Sequence, residues 1–521
     1  MNLCSGCNDL QEVWHNKLPR FWWLRPFSMD AGRQKGVMLM ARLKAGAGTC
    51  LLVVVVMGVV ATKPEAVGDD WNRFRGPNGS GVIEATGLPL DFGPETNVVW
   101  KTTVAPGFSS PVISGDRLLL TAFENDQLIT TSLDRQSGRM LWRQTVERTR
   151  VDRPDSRNHS AAASAAVDAA GNVYVFFGEF GLVAYDREGV EQWRHPLGPF
   201  DNIYGMGASP IVADNLVLLA CDQQNGSFLL AVDADTGEVR WKVDRPEAKS
   251  GHSSPVLYDP PDGPLQVLVA GSFLLTAYDV ATGEKRWWVG GLPFEMKSTP
   301  VMDGDTLYIH GFSTPLNQPG RQVEVDSWED TIAVHDANGD NLITPDEFPQ
   351  GRTRGFFSFV DLDGDGQLDE DSWNYYRAAM MSLNGMVAIR LGGSGDMTEE
   401  NVVWRYHRSV PQLPSPLLYQ GVLYMINDGG IATSFRPSTG EVIERGRIRG
   451  AVDSYYASPV AADGKIFFVS EMGKVAVVRP GGGFEVLALN DLGSPAYATP
   501  AIADGRIYIR TEETLWAFGE D

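Results

Sequence analysis

One unit of about 45 residues recurs along most of this chain, and a repeat of that length restricts the fold more than any other feature. Its clearest copies are residues 208–243, ASPIVADNLVLLACDQQNGSFLLAVDADTGEVRWKV, and 253–289, SSPVLYDPPDGPLQVLVAGSFLLTAYDVATGEKRWWV. Each copy opens on a small residue, with Pro following in most. The openings fall at Ser110, Ser164, Ser209, Ser254, Thr299, Ser415, Ser458 and Thr499. Most intervals are 41 to 54 residues long, and one, from Thr299 to Ser415, is 116.

Short apolar runs such as Leu216–Leu219 and Leu229–Val232, bounded by Asp, Asn and Gly, read as strands. The Thr-Gly pairs at 236–237, 282–283 and 439–440 put Gly where a turn needs positive φ. Trp142, Trp193, Trp241, Trp287 and Trp404 stand near the last strand of their units and are expected to pack between neighbours. Four strands per unit of this length make a propeller blade. The expected fold class is therefore all-β, an eight-bladed β-propeller of four-stranded antiparallel blades over residues 97–521. The last copy, 498–518, stops after its third strand. Residues 97–102, NVVWKT, match 401–406, NVVWRY, and are expected to supply the missing strand, which removes an open sheet edge.

Composition narrows the function. A net charge of −22 excludes nucleic acid as a partner, because phosphate binding needs clustered Lys and Arg. Residues 40–61 read as a signal peptide: Arg42 and Lys44 precede the apolar run Leu51–Val60, and Ala61 offers a cleavage point. That run is too short to span a bilayer, which takes about 20 residues, so no membrane span is expected in the mature chain. Residues 1–39, with Trp14, Trp22 and Trp23, resemble no signal start and read as an upstream mis-start or extension, with translation beginning at Met38 or Met40. Residues 62–96 form an N-terminal extension. The expected location is periplasmic or secreted. Cys4, Cys7 and Cys50 lie in or before the leader, which leaves Cys221 without a partner for a disulfide.

The segments AVDADTGEVRW and AYDVATGEKRW and the Ser/Thr-Pro openings resemble the PQQ-binding-like, or quinoprotein-like, β-propeller family across residues 97–521. Residues 71–81, WNRFRGPNGSG, look like the opening of exported bacterial members. The resemblance implies the fold and leaves activity open, since the family includes dehydrogenases and outer-membrane assembly lipoproteins. Its dehydrogenases use a catalytic Asp, a Glu/Asn set, a Trp beneath the quinone and often a vicinal Cys pair. This chain has no vicinal Cys pair, and the other groups find no match residue by residue. No catalytic residue is assigned, and PQQ is a possible cofactor without a residue set. The preferred reading is an exported, non-enzymatic binding or scaffolding propeller whose partner is a small molecule or an envelope protein. A PQQ-dependent dehydrogenase and an outer-membrane-assembly scaffold stand as alternatives.

The long interval carries an insertion, 313–382, between Phe312 and Leu383. Within it 336–347, DANGDNLITPDE, matches the EF-hand loop, whose calcium ligands stand at positions 1, 3, 5, 7, 9 and 12. Asp336, Asn338 and Asp340 supply side-chain oxygens, Leu342 a carbonyl, Thr344 a water-mediated contact and Glu347 a bidentate carboxylate. Asn341 replaces the usual Gly, and Thr344 to Glu347 also read as a capped helix start. The second loop, 361–372, DLDGDGQLDEDS, offers Asp361, Asp363, Asp365, the Gln367 carbonyl and Asp369, but Ser372 cannot close the shell. Ile343 and Leu368 are expected to pair the two loops, with Ile332, Phe356, Phe357 and Val360 on flanking helices.

Chain direction puts the insertion, between strands two and three of blade five, on the same face as the blade-to-blade connections. Those connections carry His159, Tyr204, His252, Lys297, Tyr455, Tyr456 and Tyr497, the candidate ligand residues of a channel mouth. Phe108, Arg157, Asn158, Met206 and Gln412 lie in the same connections.

Overall fold

In a computed structural model the described residues are 71–151, 158–313, 317–348, 357–361 and 364–520. The leader, its cleavage region and the residues before it lie outside these, as do Arg157, Phe356 and Asp363.

The repeat becomes eight antiparallel sheets, each built from an inner strand outwards. Strands β1 (Val112–Ser114), β2 (Arg117–Glu124), β3 (Gln127–Asp134) and β4 (Met140–Glu147) form the first blade. Its inner three are mostly buried, whereas the burial of β4 is partial and alternating, which suits an outer edge. The following blades repeat this order through Ala166–Pro196, Ile211–Asp244 and Val256–Val289. The fifth blade takes its inner strands from Val301–Asp303 and Thr306–Gly311 and its outer two from Gly385–Arg390 and Val402–Tyr406. The insertion therefore leaves between the second and third strands. One sheet departs from four strands: Gly395–Asp396 pairs in parallel with Lys285–Val289 and covers the outer edge of blade four. The eighth blade is closed as the sequence predicts. Val98–Thr103 pairs antiparallel with Thr514–Phe518, joining the start of the propeller to its end.

The Trp and Thr-Gly signals turn out to be two halves of one contact. The indole N–H of Trp142 donates to Arg187 O at 3.0 Å, that of Trp193 to Ala234 O at 2.8 Å and that of Trp241 to Val280 O at 3.0 Å, each in the next blade. Trp100 and Trp404 do the same to Arg135 O and Pro437 O. The ring then lies flat on the turn glycine of that neighbour. A Cβ at Gly237 would stand 2.6 Å from Trp193, and one at Gly440 would stand 2.5 Å from Trp404. Positive φ (72° at Gly237, 69° at Gly440) and the approaching indole both demand glycine. Trp287 differs: it donates to Gln266 Oε1 within its own blade.

Candidate functional site

The eight opening residues meet at the axle, where their hydroxyls form a ring. Ser110 N–H donates to Ser164 Oγ (2.9 Å), Ser164 N–H to Ser209 Oγ (3.0 Å) and Ser209 N–H to Ser254 Oγ (3.0 Å). The pattern resumes from Thr299 to Ser415, Ser415 to Ser458 and Ser458 to Thr499, and closes from Thr499 back to Ser110. Seven of the eight hydroxyls thus satisfy a buried amide of the neighbouring blade, which explains the Ser or Thr at the openings. The ring breaks at one step. Thr299 Oγ1 is buried with no hydrogen-bond partner among the described residues.

The segment 71–83 fills the channel behind that ring. Trp71 and Arg75 are wholly buried. Arg73 donates to Pro255 O, and Arg75 donates to Gly79 O (3.0 Å), Ser80 O (3.2 Å), Ser415 O (3.4 Å) and Pro416 O (2.7 Å). Asn78 clasps Leu257 through both its side-chain atoms, donating to Leu257 O and accepting from Leu257 N–H, each at 2.8 Å. Trp71 O and Gly81 O accept from Ile113 and Ala461. Arg75 sits at φ 63° and Gly76 at φ 67°, a left-handed kink that turns the chain back across the axle. Burial brings both guanidinium groups down to about 9. Gly79 packs against Thr299, where an added Cβ would stand 2.9 Å from Thr299 Cγ2, so the ring is open where the plug presses on it. Sequence reading places this segment in an extension outside the propeller. Its partners are backbone carbonyls of distant blades, which leave no pattern in the sequence.

Above the plug a cavity of about 1080 Å³, measured out to the solvent at its mouth, opens between the blade connections. Phe74 of the plug is its floor. One wall is aromatic: Phe108 stacks on Tyr497 (centroids 4.6 Å apart, 26°), and Tyr456 leans on Tyr497 at 5.6 Å. The opposite wall is polar and carries Tyr204, His252, Lys297 and Gln412. Lys297 Nζ lies 2.7 Å from Glu295 Oε2 and 4.6 Å from the Tyr204 ring centroid, and the ion pair is nearly dry, with side chains 7% and 5% exposed. Gln412 Nε2 also reaches Glu295 Oε2, at 3.4 Å, and its N–H bonds Asp428, whose carboxyl burial pushes up. His252 is held neutral: burial, with Lys297 nearby, pushes it down to about 3.

Of the mouth residues expected from sequence, Tyr204, His252, Lys297, Tyr456 and Tyr497 line this cavity. His159 stands beside it, its ring 5.2 Å from Phe108, with Nδ1 accepting from Ala161 N–H and burial bringing it to about 4. Tyr455 does not line the cavity: it is wholly buried and donates to Ala451 O at 2.7 Å. Neighbours in sequence point oppositely here, and only Tyr456 turns to the mouth.

The insertion is rooted in the polar wall. Glu295 and Phe312 exchange backbone hydrogen bonds (2.8 and 3.0 Å), and Ser382 Oγ accepts from Phe294 N–H at 3.2 Å. Both stems therefore grip the segment that carries Glu295 and Lys297. Its helices α1 (Trp328–His335), α2 (Phe357–Val360) and α3 (Glu370–Met381) enclose a small core of Trp328, Ile343, Phe348, Leu368 and Trp373. Ile343 and Leu368 pair reciprocally (3.0 and 2.9 Å), so the two loops lie side by side as expected. In the first loop Asp336 accepts from Gly339 and Asn341, Asn338 and Asp340 each accept from a loop N–H, and Glu347 accepts from Ala337 and Thr344. Asn341 adopts φ 59°, the conformation that position requires. Leu342 and Thr344 follow, and Thr344 Oγ1 also bonds Glu347 at 2.7 Å. In the second loop Asp361 accepts from Gly364 and Gly366, Asp365 from Gln367, and Asp369 from Ser372 as the cap of α3. Among the described residues no three acidic, His or Cys side chains stand in metal-holding geometry.

Comparison with known proteins adds kinship to this geometry. The family described as outer membrane protein assembly factor BamB matches residues 94–255, 131–344 and 384–521. The outer membrane protein assembly factor BamB of Shewanella oneidensis is 24% identical over 430 residues, 76% of this chain and 92% of that protein. Among solved structures, BamB from Moraxella catarrhalis shares the fold at TM-score 0.52 and 12% identity, over 81% of this chain and 99% of that one. A europium-containing methanol dehydrogenase does so at TM-score 0.54 and 10% identity, over 88% and 99%.

Proposed function

The chain belongs to the family of the outer membrane protein assembly factor BamB, and on that premise we propose that it is a non-enzymatic scaffold of the cell envelope, acting in outer membrane protein assembly after export to the periplasm. Its working face is the channel mouth. The observation that carries this is the open cavity at the mouth, with exposed apolar side chains on the same face. Val151, Ile203 and Val452 lie in blade connections and Met472 in a loop on the same face, 68%, 38%, 60% and 60% exposed, around a cavity whose floor is sealed by the plug. Apolar groups left wet beside a concave centre of mixed character favour a protein partner. The methanol dehydrogenase likeness supports the fold alone at its level of identity.

The insertion contributes a calcium site in this reading. The first loop offers oxygens of the right kind at all six positions, and loop N–H groups bond the side chains of Asp336, Asn338, Asp340 and Glu347. The residues that would hold the ion are Asp336, Asn338, Asp340, the Leu342 carbonyl, Thr344 through water, and Glu347. The ion would supply charge compensation and rigidity to a module rooted in the mouth wall. In the second loop Asp361, Asp365, Asp369 and the Gln367 carbonyl would serve, with Asp363 outside the described residues.

A photo-crosslinking residue placed at Ile203, Val452 or Met472, and separately at Val239 or Ile443 on outer strands, tests the scaffold reading in the native host. Crosslinks to outer membrane protein assembly components from the mouth positions alone are expected. Crosslinks distributed equally over both sets would overturn the assignment of the face. Dye reduction with PQQ, calcium and an alcohol at an ordinary enzymatic rate, above roughly 1 per second, would overturn the non-enzymatic reading.

A further inference from the structure

The cavity above the plug has a chemistry more specific than a protein-docking hollow needs. His252 lines it, and its ring has no hydrogen-bond partner among the described residues: Nε2 is buried and unpartnered, and Nδ1 faces Gly207 on the cavity wall. Gly207 keeps that edge open, since a Cβ there would stand 3.3 Å from Nδ1. Among the described residues the single cation lining the cavity, Lys297, is already neutralised by Glu295 at 2.7 Å. From the described lining a charged ligand would lose its hydration without gaining a free counter-charge, which disfavours carboxylates and amines alike. Across from this wall the Phe108–Tyr497 stack and Tyr456 offer flat faces to a ring. His252 shows one ring nitrogen edge to the cavity, a donor in one neutral tautomer and an acceptor in the other. A hydroxyl satisfies either, because it both donates and accepts.

We propose that the channel mouth is a binding site for a neutral aromatic ring bearing a hydroxyl, a phenol, stacked on the Tyr497 wall with its oxygen at His252. The phenol can be a free small molecule or the tyrosine side chain of a partner polypeptide. The inference deepens the reading of the mouth as the working face, and its test is made on the purified protein without any partner.

The experiment is titration of the mature chain by calorimetry and ligand-observed NMR with p-cresol, with toluene, which lacks only the hydroxyl, and with p-toluate, which carries a charge. N-acetyl-tyrosinamide stands for the side chain. Saturable p-cresol binding, about tenfold tighter than toluene, is expected from one hydrogen bond made in a dry site. His252→Phe should bring p-cresol and toluene to equal affinity with the melting temperature retained at neutral pH, and Tyr497→Ala should weaken both. N-acetyl-tyrosinamide competing with p-cresol assigns the site to a polypeptide side chain, and failure to compete assigns it to free phenols. Absence of saturable p-cresol binding up to its solubility, toluene or p-toluate binding equally well, or His252→Phe leaving the preference intact would each overturn the proposal. A mouth that crosslinks to a partner yet ignores phenols would refute this inference alone.

Discussion

The axle and the insertion treat polar groups in opposite ways. At the axle, Arg73, Arg75 and Arg510 are buried cations whose partners are mostly backbone carbonyls, with no carboxylate among them. In the insertion, Asp336 and Glu347 are exposed anions that accept N–H groups of their own loop. The chain itself supplies the partners at the axle, since backbone carbonyl dipoles accept from each guanidinium and hold it in place. In the first loop no cation among the described residues pairs with Asp336 or Glu347. One region uses charge to fasten the fold, and the other keeps it available.

The largest effect expected from that contrast falls on the plug. Arg75→Ala would leave the carbonyls of Gly79, Ser415 and Pro416 buried without a donor, a loss of roughly 4 kcal/mol at about 1–3 kcal/mol for each stranded group, given partial relaxation. Urea unfolding of the variant measures it. The exposed Arg479, paired with Glu485, is the control, and Arg479→Ala should cost less than about 0.5 kcal/mol. Equal costs would mean that the plug lies in the channel without fastening it.

Acid should separate the regions next. Burial holds His310 at about 4 and His252 at about 3, below the 6.5 of an unfolded histidine. Between pH 6.5 and about 4 the unfolded chain therefore binds protons that the folded chain refuses, and stability falls as pH drops through that window. The loss from His310 is on the order of 3 kcal/mol. Glu347 acts in the same direction at lower pH: N–H and hydroxyl bonds from Thr344 hold it below the usual carboxylate value, so its contribution is intact near pH 6 and is lost only as pH falls through and below the carboxylate range. Melting temperature against pH should thus decline near pH 6 to 5 in wild type and decline less in His310→Gln. An unchanged slope in that variant would refute the assignment.

Much of the propeller was legible because a blade states itself locally. Alternating apolar runs recur inside each unit, with a Thr-Gly turn or a Trp in most, and even the closing strand is recognisable from NVVW at 97–100 and its copy in blade five. The plug was not legible, since Arg73, Arg75 and Asn78 bond main-chain atoms that any sequence would present. The ring was half legible: Ser or Thr marks each opening, but only the assembled axle shows that all these hydroxyls except that of Thr299 serve the blade before them. At the mouth, sequence order gave the connecting segments without the direction of each side chain, and so Tyr455 was grouped with Tyr456.

Calcium sharpens the contrast from the insertion's side. Calorimetry should show one ion bound by the 336–347 loop at roughly 10⁻⁵–10⁻⁴ M, lost in Glu347→Gln while the propeller's melting is unaltered. Ser372→Glu should strengthen the second loop, since position twelve there has no carboxylate. Binding should also raise the protease resistance of the insertion. An unchanged titration in Glu347→Gln would refute the loop reading and leave the axle argument untouched.

The smallest effect compares two threonines within the ring itself. Thr499 Oγ1 accepts from Ser458 N–H at 3.0 Å, and Thr299 Oγ1 accepts nothing among the described residues. Both are buried, 3% and 1% exposed, and Val has nearly the shape of Thr. Thr499→Val strands the Ser458 amide, which should cost about 1–2 kcal/mol. Thr299→Val removes a hydroxyl that bonds no partner, and its desolvation penalty disappears with it. That change should be neutral or stabilising by up to about 1 kcal/mol. Paired urea titrations decide between the two, because the substitution is chemically identical and only the ring differs. If Thr299→Val costs as much as Thr499→Val, a buried water completes the ring at the plug, and the axle, like the loops, relies on a partner from outside the chain.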